Sequence, residues 1–155
     1  MTYLAMNHGI KGLAYFIYQP KKVREERVRK WGPEHINEET YAQLKTMHRE
    51  IQELAPAYCL GKRIALDFQN DIDTAVIEHE GVLYVSCVNT KNAAVKGARI
   101  KLPDGILPDS EGELSFENGR RISLKQSTVE DDFCAYQVHI YKFILKKEAE
   151  ERREK

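Results

Sequence analysis

The side chains able to do chemistry are scattered along this sequence and do not gather into a catalytic motif. Glu130, Asp131 and Asp132 are consecutive carboxylates. A calcium loop spaces its oxygen ligands more regularly than this, so a solvated turn is expected there. His79 lies between Glu78 and Glu80, and His139 between the apolar Val138 and Ile140; neither has a second His or Cys at zinc-ligand spacing. No metal site is therefore expected. Cys59, Cys87 and Cys134 are odd in number and far apart, which fits neither a disulfide framework nor a CxxC site. They read as small buried apolar residues. Trp31, next to Gly32 and Pro33, offers a flat ring with one polar edge, suited either to stacking on a ligand or to anchoring a loop. The basic stretch 21–30 is interrupted by Glu25 and Glu26, which makes it a solvated face. There is no glycine-rich phosphate loop and no GxSxG elbow. No cofactor is expected.

Composition narrows the partners further. The 24 basic and 24 acidic residues cancel, leaving no long-range field to draw nucleic acid or an anionic membrane. No apolar run in the sequence approaches the roughly 20 residues of a membrane helix. The first residues lack a basic start followed by a long apolar stretch, so no secretory signal is read there. At 155 residues the chain can bury a substantial core.

The elements that must hold these side chains follow from periodicity. Apolar Tyr3, Leu4 and Met6 precede His8-Gly9, a helix with a glycine stop. Residues 13–18 are apolar on both faces, as in a strand covered on both sides within a parallel sheet. After the polar connection 20–36, Asn37 is an expected N-cap with Glu38 and Glu39 in the first turn. Tyr41, Leu44, Met47, Ile51, Leu54 and Tyr58 then recur at helical spacing, and Pro56 is expected to end or kink the helix. Beyond Gly61 the period becomes two. Strands are expected at 63–68, 74–79, 82–89, 95–102, 113–117, 120–125 and 135–145, with hairpin turns at Glu80-Gly81 and Asn118-Gly119. The expected fold is α+β: a helix-strand-helix segment over 1–61, an antiparallel β-sandwich over 62–146 and a charged tail over 147–155.

The order of the segments carries a resemblance. Tyr3-Leu4-Ala5-Met6-Asn7-His8-Gly9-Ile10-Lys11-Gly12 and the aromatic-rich run that follows resemble the passage from the seventh helix into the eighth strand of (β/α)₈-barrel glycoside hydrolases. The run from Glu50 to Tyr58, with Leu54-Ala55-Pro56, is similar to their eighth barrel helix. Val82-Leu83-Tyr84-Val85-Ser86-Cys87-Val88-Asn89 is similar to a strand of their C-terminal β-domains, and Tyr136-Gln137-Val138-His139-Ile140-Tyr141-Lys142 to the closing strand.

The resemblance implies a C-terminal part of such an enzyme, with last barrel units and a β-sandwich. Glycoside hydrolysis uses two carboxyl groups about 5 to 10 Å apart, and the resemblance places them on strands upstream of Met1. This chain is then non-catalytic, giving structural support and one wall of a sugar site. Barrel sites form at the C-terminal ends of the strands, which makes Tyr18 and Gln19, together with Trp31, the expected substrate-binding residues. His8, at the opposite end of that strand, is expected to pack or hydrogen-bond. Carbohydrate is the expected ligand, with an upstream barrel polypeptide or a second copy as partner. The alternative is a stand-alone β-sandwich module that binds carbohydrate or protein.

Overall fold

The computed structural model describes residues 1–14, 36–69, 71–104, 106 and 111–145. Tyr18, Gln19 and Trp31, most of the expected strand 13–18 and the charged tail lie outside them. The chain divides into two compact units, Met1–Lys11 with Pro56–Lys155, and Gly12–Ala55.

The second unit holds most of one long helix, α2 (Glu38–Leu60), while helix α1 (Thr2–Asn7) belongs to the first. Asn37 caps α2 as its position suggests: its Oδ1 accepts the Thr40 N–H at 2.7 Å. Glu38 and Glu39 occupy the first turn, where the dipole favours negative charge. Along the apolar stripe, burial deepens from Tyr41, 48% exposed, to Leu54, which is fully buried. Pro56 does not end the helix, which continues to Leu60. The ladder resumes beyond it, since the Gly61 N–H donates to the Ala57 carbonyl at 2.9 Å. Burial of Ala57 and Tyr58 offsets the roughly 3 kcal/mol that an interior proline costs.

α1 stops as its sequence indicates. Gly9 takes φ +88°, its N–H donates to Met6 O at 2.9 Å, and the Ile10 N–H donates to Ala5 O at 3.3 Å. This pair of bonds is a Schellman ending, which only a residue at ease in the left-handed region completes without strain.

Among the described residues eight strands follow: β1 (Lys62–Gln69), β2 (Ile72–His79), β3 (Val82–Asn89), β4 (Val95–Lys101), β5 (Glu111–Leu114), β6 (Arg121–Ser123), β7 (Thr128–Phe133) and β8 (Val138–Ile144). They form a six-stranded sheet in the order β1-β2-β3-β8-β5-β6 and a two-stranded sheet of β4 and β7, all neighbours antiparallel. Both hairpin signals are real turns. Glu80 and Gly81 take φ 50° and 74°, Asn118 and Gly119 52° and 75°. Alternation then sorts the faces: Val76, Leu83, Val85, Cys87, Leu114, Tyr141 and Phe143 from the large sheet meet Ala98, Ile100, Val129 and Phe133 from the small one.

Two expectations need correcting. The acidic cluster is not a solvated turn but the middle of β7, where Val129, Asp131 and Phe133 point inward and Glu130 and Asp132 outward. Asp131 and Asp132 therefore face opposite ways and do not converge on one ion. Of the cysteines only Cys87 is buried; Cys59 and Cys134 are exposed.

Where α2 passes into β1 the backbone leaves no room for a side chain at Gly61. A Cβ there would lie 2.3 Å from the Ala57 carbonyl oxygen, 2.7 Å from Ile77 Cγ2 and 2.9 Å from the Glu78 carbonyl oxygen. Two of these are backbone atoms, which cannot swing aside. Gly61→Ala should lower the unfolding free energy by about 1 to 3 kcal/mol or more, the usual cost of overpacking, in a urea titration. A variant as stable as the parent would show that this junction is not closely packed.

Candidate functional site

Three places in the β unit bring polar side chains together. The first docks α1 on the outer face of the large sheet. Asn7 is fully buried, and its Nδ2 donates to Asp73 Oδ1 at 2.8 Å and to the Ser86 carbonyl at 3.2 Å. The other Asp73 oxygen meets His8 Nε2 at 2.7 Å. Tyr58 O–H donates to Asn7 Oδ1 at 3.3 Å, and the Arg63 guanidinium donates to the carbonyls of Asn7 and Met6 at the end of α1. Lys11 Nζ caps the end of α2 by donating to Tyr58 O at 2.7 Å. Cations at both helix C-termini complement the dipoles. His8 thus has the hydrogen-bonding role expected of it.

The second lies between the sheets. Glu117 contacts His139 Nδ1 through one oxygen and accepts from Arg120 Nη1 at 3.0 Å through the other. Arg120 Nη2 continues to Asp131 Oδ1, and Asp131 Oδ2 accepts from Tyr141 O–H at 3.0 Å. His139 Nε2 faces the Asp132 carbonyl at 3.1 Å, so it donates. With His139 only 1% exposed, this chain of partners satisfies polar groups between the sheets, and its Arg120 side chain, 38% exposed, reaches the surface.

The third is open. A groove of about 450 Å³ crosses the outer face of the large sheet. The strand register sets its floor as two rows. In one, Tyr84 on β3 stands opposite Lys142 on β8, Lys142 opposite Glu113 on β5, and Glu113 opposite Arg121 on β6. In the other, two residues along each strand, Val82 stands opposite Ile144 and Glu111 opposite Ser123. Lys142 Nζ lies 5.9 Å from the Tyr84 ring centroid, and Arg121 Nη1 lies 3.7 Å from Glu111 Oε2. Gly112 brings β5 close enough to complete the groove: a Cβ there would lie 2.5 Å from the Phe143 ring and 2.7 Å from the Lys142 carbonyl oxygen. Two other cavities, one of about 400 Å³ beside Asp67 and Asp104 and one of about 660 Å³ beside Arg99 and Glu130, have no aromatic lining.

With this geometry in view, the chain can be set beside known proteins. No family model matches it, and no curated protein is significantly similar. Solved structures do match. A variant of AmyP in complex with maltotriose superposes with a TM-score of 0.60 at 13% identity, over 92% of this chain and 34% of the AmyP chain. An Anoxybacillus α-amylase, described as giving insight into a new glycosyl hydrolase subclass, matches with a TM-score of 0.46 at 15% identity, over 62% of this chain and 20% of its own. The likeness to AmyP is one of fold. The chain spans about a third of that protein's length.

The substrate-binding residues expected from sequence, Tyr18, Gln19 and Trp31, lie outside the described residues. The groove residues were not singled out by sequence reasoning, because they come from four strands and only the register unites them. Tyr84, an aromatic on the outward face of β3, was the available signal. No group of three or more His, Cys, Asp or Glu able to hold a metal ion occurs among the described residues.

Burial in this unit has a measurable consequence at alkaline pH. Burial pushes the Tyr58 hydroxyl up to about 12 from its usual 10.0, and the Cys87 thiol up to about 12 from 9.0. It raises Tyr141 as well. Each group is harder to deprotonate folded than unfolded, so its contribution to stability is complete below its unfolded pKa and is lost as pH rises towards the folded one. Stability should hold to about pH 9 and then fall steeply towards pH 12. Tyr58→Phe should remove about 3 kcal/mol of that fall, read from denaturant titrations at a series of pH values. Equal alkaline slopes for parent and variant would contradict the assignment.

Proposed function

We propose that this chain is a C-terminal, non-catalytic part of a glycoside hydrolase-like protein. Residues 1–61 form the last helix-strand-helix units of a (β/α)₈ barrel, residues 62–146 a β-sandwich that supports them, and 147–155 a charged tail. The observation that carries the reading is the fold: 92% of this chain fits onto 34% of an AmyP chain. A domain that occupies a third of a larger relative is suited to serving as one part of a larger catalyst. Tyr18, Gln19 and Trp31 contribute one wall of the sugar site, and a barrel polypeptide supplies the two carboxylates. AmyP binds maltotriose, so malto-oligosaccharides are the first ligands to try.

The state of the carboxylates here supports the non-catalytic part of the reading. Glu111 and Glu113 share one face of β5 about 7 Å apart, a spacing glycosidases use. A catalytic pair flanks the scissile bond from two sides, however, whereas these two lie side by side on one sheet face, and the Glu111 side chain is 66% exposed. Asp73, Glu117 and Asp131 are each held in the two buried networks. The purified chain should give no turnover above buffer on aryl α- and β-glycosides or on soluble starch. Turnover that disappears in Glu111→Gln or Glu113→Gln would reverse the reading and make the groove a catalytic site.

A further inference from the structure

The geometry points to the groove over Tyr84 as a binding site for a neutral oligosaccharide, separate from the wall assigned to Tyr18, Gln19 and Trp31. The choice of glycan rests on the glycoside hydrolase-like reading; the choice of place rests on the sheet itself.

Three features carry it. The first row runs aromatic, cation, anion, cation across four adjacent strands, Tyr84, Lys142, Glu113 and Arg121. With strands about 4.8 Å apart this is a platform of about 14 Å, longer than a single sugar ring needs. The second feature is charge. Glu111 and Glu113 balance Lys142 and Arg121, so the rim repels neither sign and attracts neither strongly; a polyanion or polycation gains nothing from it. A polyol does gain, because its hydroxyls can donate to the carboxylates and accept from the ammonium and guanidinium groups. The third is the floor. The Tyr84 ring is half-buried, with apolar Val82 and Ile144 in the adjoining row, and gives the C–H face of a sugar an apolar surface beside those polar groups. The volume of about 450 Å³ falls within the range of small-molecule sites. Helix α1, held through Asp73 and Ser86, contributes no residue to the lining of this groove.

The site has a built-in dependence on Gly112. It is the residue that lets β5 lie against β8, and so it sets Glu111 and Glu113 opposite the Tyr84 side of the groove. Gly112 is a positioning residue: it lines the groove without a side chain and acts by letting β5 approach β8.

The test is titration of the full chain with maltoheptaose, followed calorimetrically and by amide chemical shifts. Shifts should cluster on Tyr84, Lys142 and Glu113. Tyr84→Ala should weaken binding roughly tenfold, the loss of one aromatic contact, and Tyr84→Phe should retain it. Glu113→Gln, which keeps the shape of the strand, should also weaken binding and guards against misfolding of Tyr84→Ala. Tyr136→Ala, which removes an exposed aromatic outside the groove, should have no effect. Binding lost in Trp31→Ala but unchanged in Tyr84→Ala and Glu113→Gln would overturn this proposal and leave the glycoside hydrolase-like reading standing. Binding at Tyr84 of cellohexaose or laminarihexaose in preference to maltoheptaose would support the groove and count against the maltose-type ligand. Binding of none of these glycans would overturn the proposal.

Discussion

The constraint on which the β unit depends is the insertion of β8 between β3 and β5. Seven residue pairs, from Val82 opposite Ile144 to Val88 opposite Val138, tie it to β3. On its other side Lys142 and Tyr141 pair with Glu113 and Leu114. Within the large sheet the meander β1-β2-β3 and the hairpin β5-β6 share no hydrogen-bonded neighbour except this strand. Its inward side chains, His139, Tyr141 and Phe143, are at most 1% exposed and close the core against the small sheet. Its outward Lys142 and Ile144 form the middle of the groove. One strand thus joins the sheet, fills the sandwich and floors the surface site.

The two faces of the large sheet divide their tasks by the same alternation. Inward charge is tolerated only where it is fully matched. Asp131 meets Arg120 and Tyr141, and His139 meets Glu117 and a carbonyl, because an unpaired buried charge would cost several kcal/mol. On the outer face one part accepts α1 through Asn7 and Asp73, and the groove over Tyr84 is open among the described residues. The aromatic and charged row across β3, β8, β5 and β6 is therefore available to a ligand on a support that is rigid from beneath. That rigidity is what a surface site needs, since side chains on strands hold their places better than side chains on loops.

Much of this order was legible in the sequence. The stop at Gly9, the cap at Asn37, the strand from Val82 to Asn89 and both hairpin turns follow from local chemistry and are present. Asn89, which ends β3, clamps the next loop by donating to Ala93 O and Cys134 O and accepting from the Lys91 N–H. What escaped was non-local. β7 was hidden because Asp131 breaks the apolar alternation, and its inward position makes sense only once Arg120 and Tyr141 arrive from other strands. Of the two outcomes Pro56 suggests, an end or a kink, the end does not occur, because Ala57 and the stripe residue Tyr58 are buried beyond it. The groove was invisible because its residues are distant in sequence: Tyr84 and Arg121 are 37 residues apart and fall in one row only through β8 and β5.

Native-state hydrogen exchange measures the central role of β8 directly. If this strand is the tie, its amides and those of β3 should exchange only through global unfolding, with the free energy and denaturant dependence of the whole β unit. The β5–β6 hairpin and the β1–β2 hairpin should lose protection in that same step. Exchange of the β8 amides at a free energy well below the global value, while β1, β2 and β3 stay protected, would show that the sheet stands without it and would contradict the account.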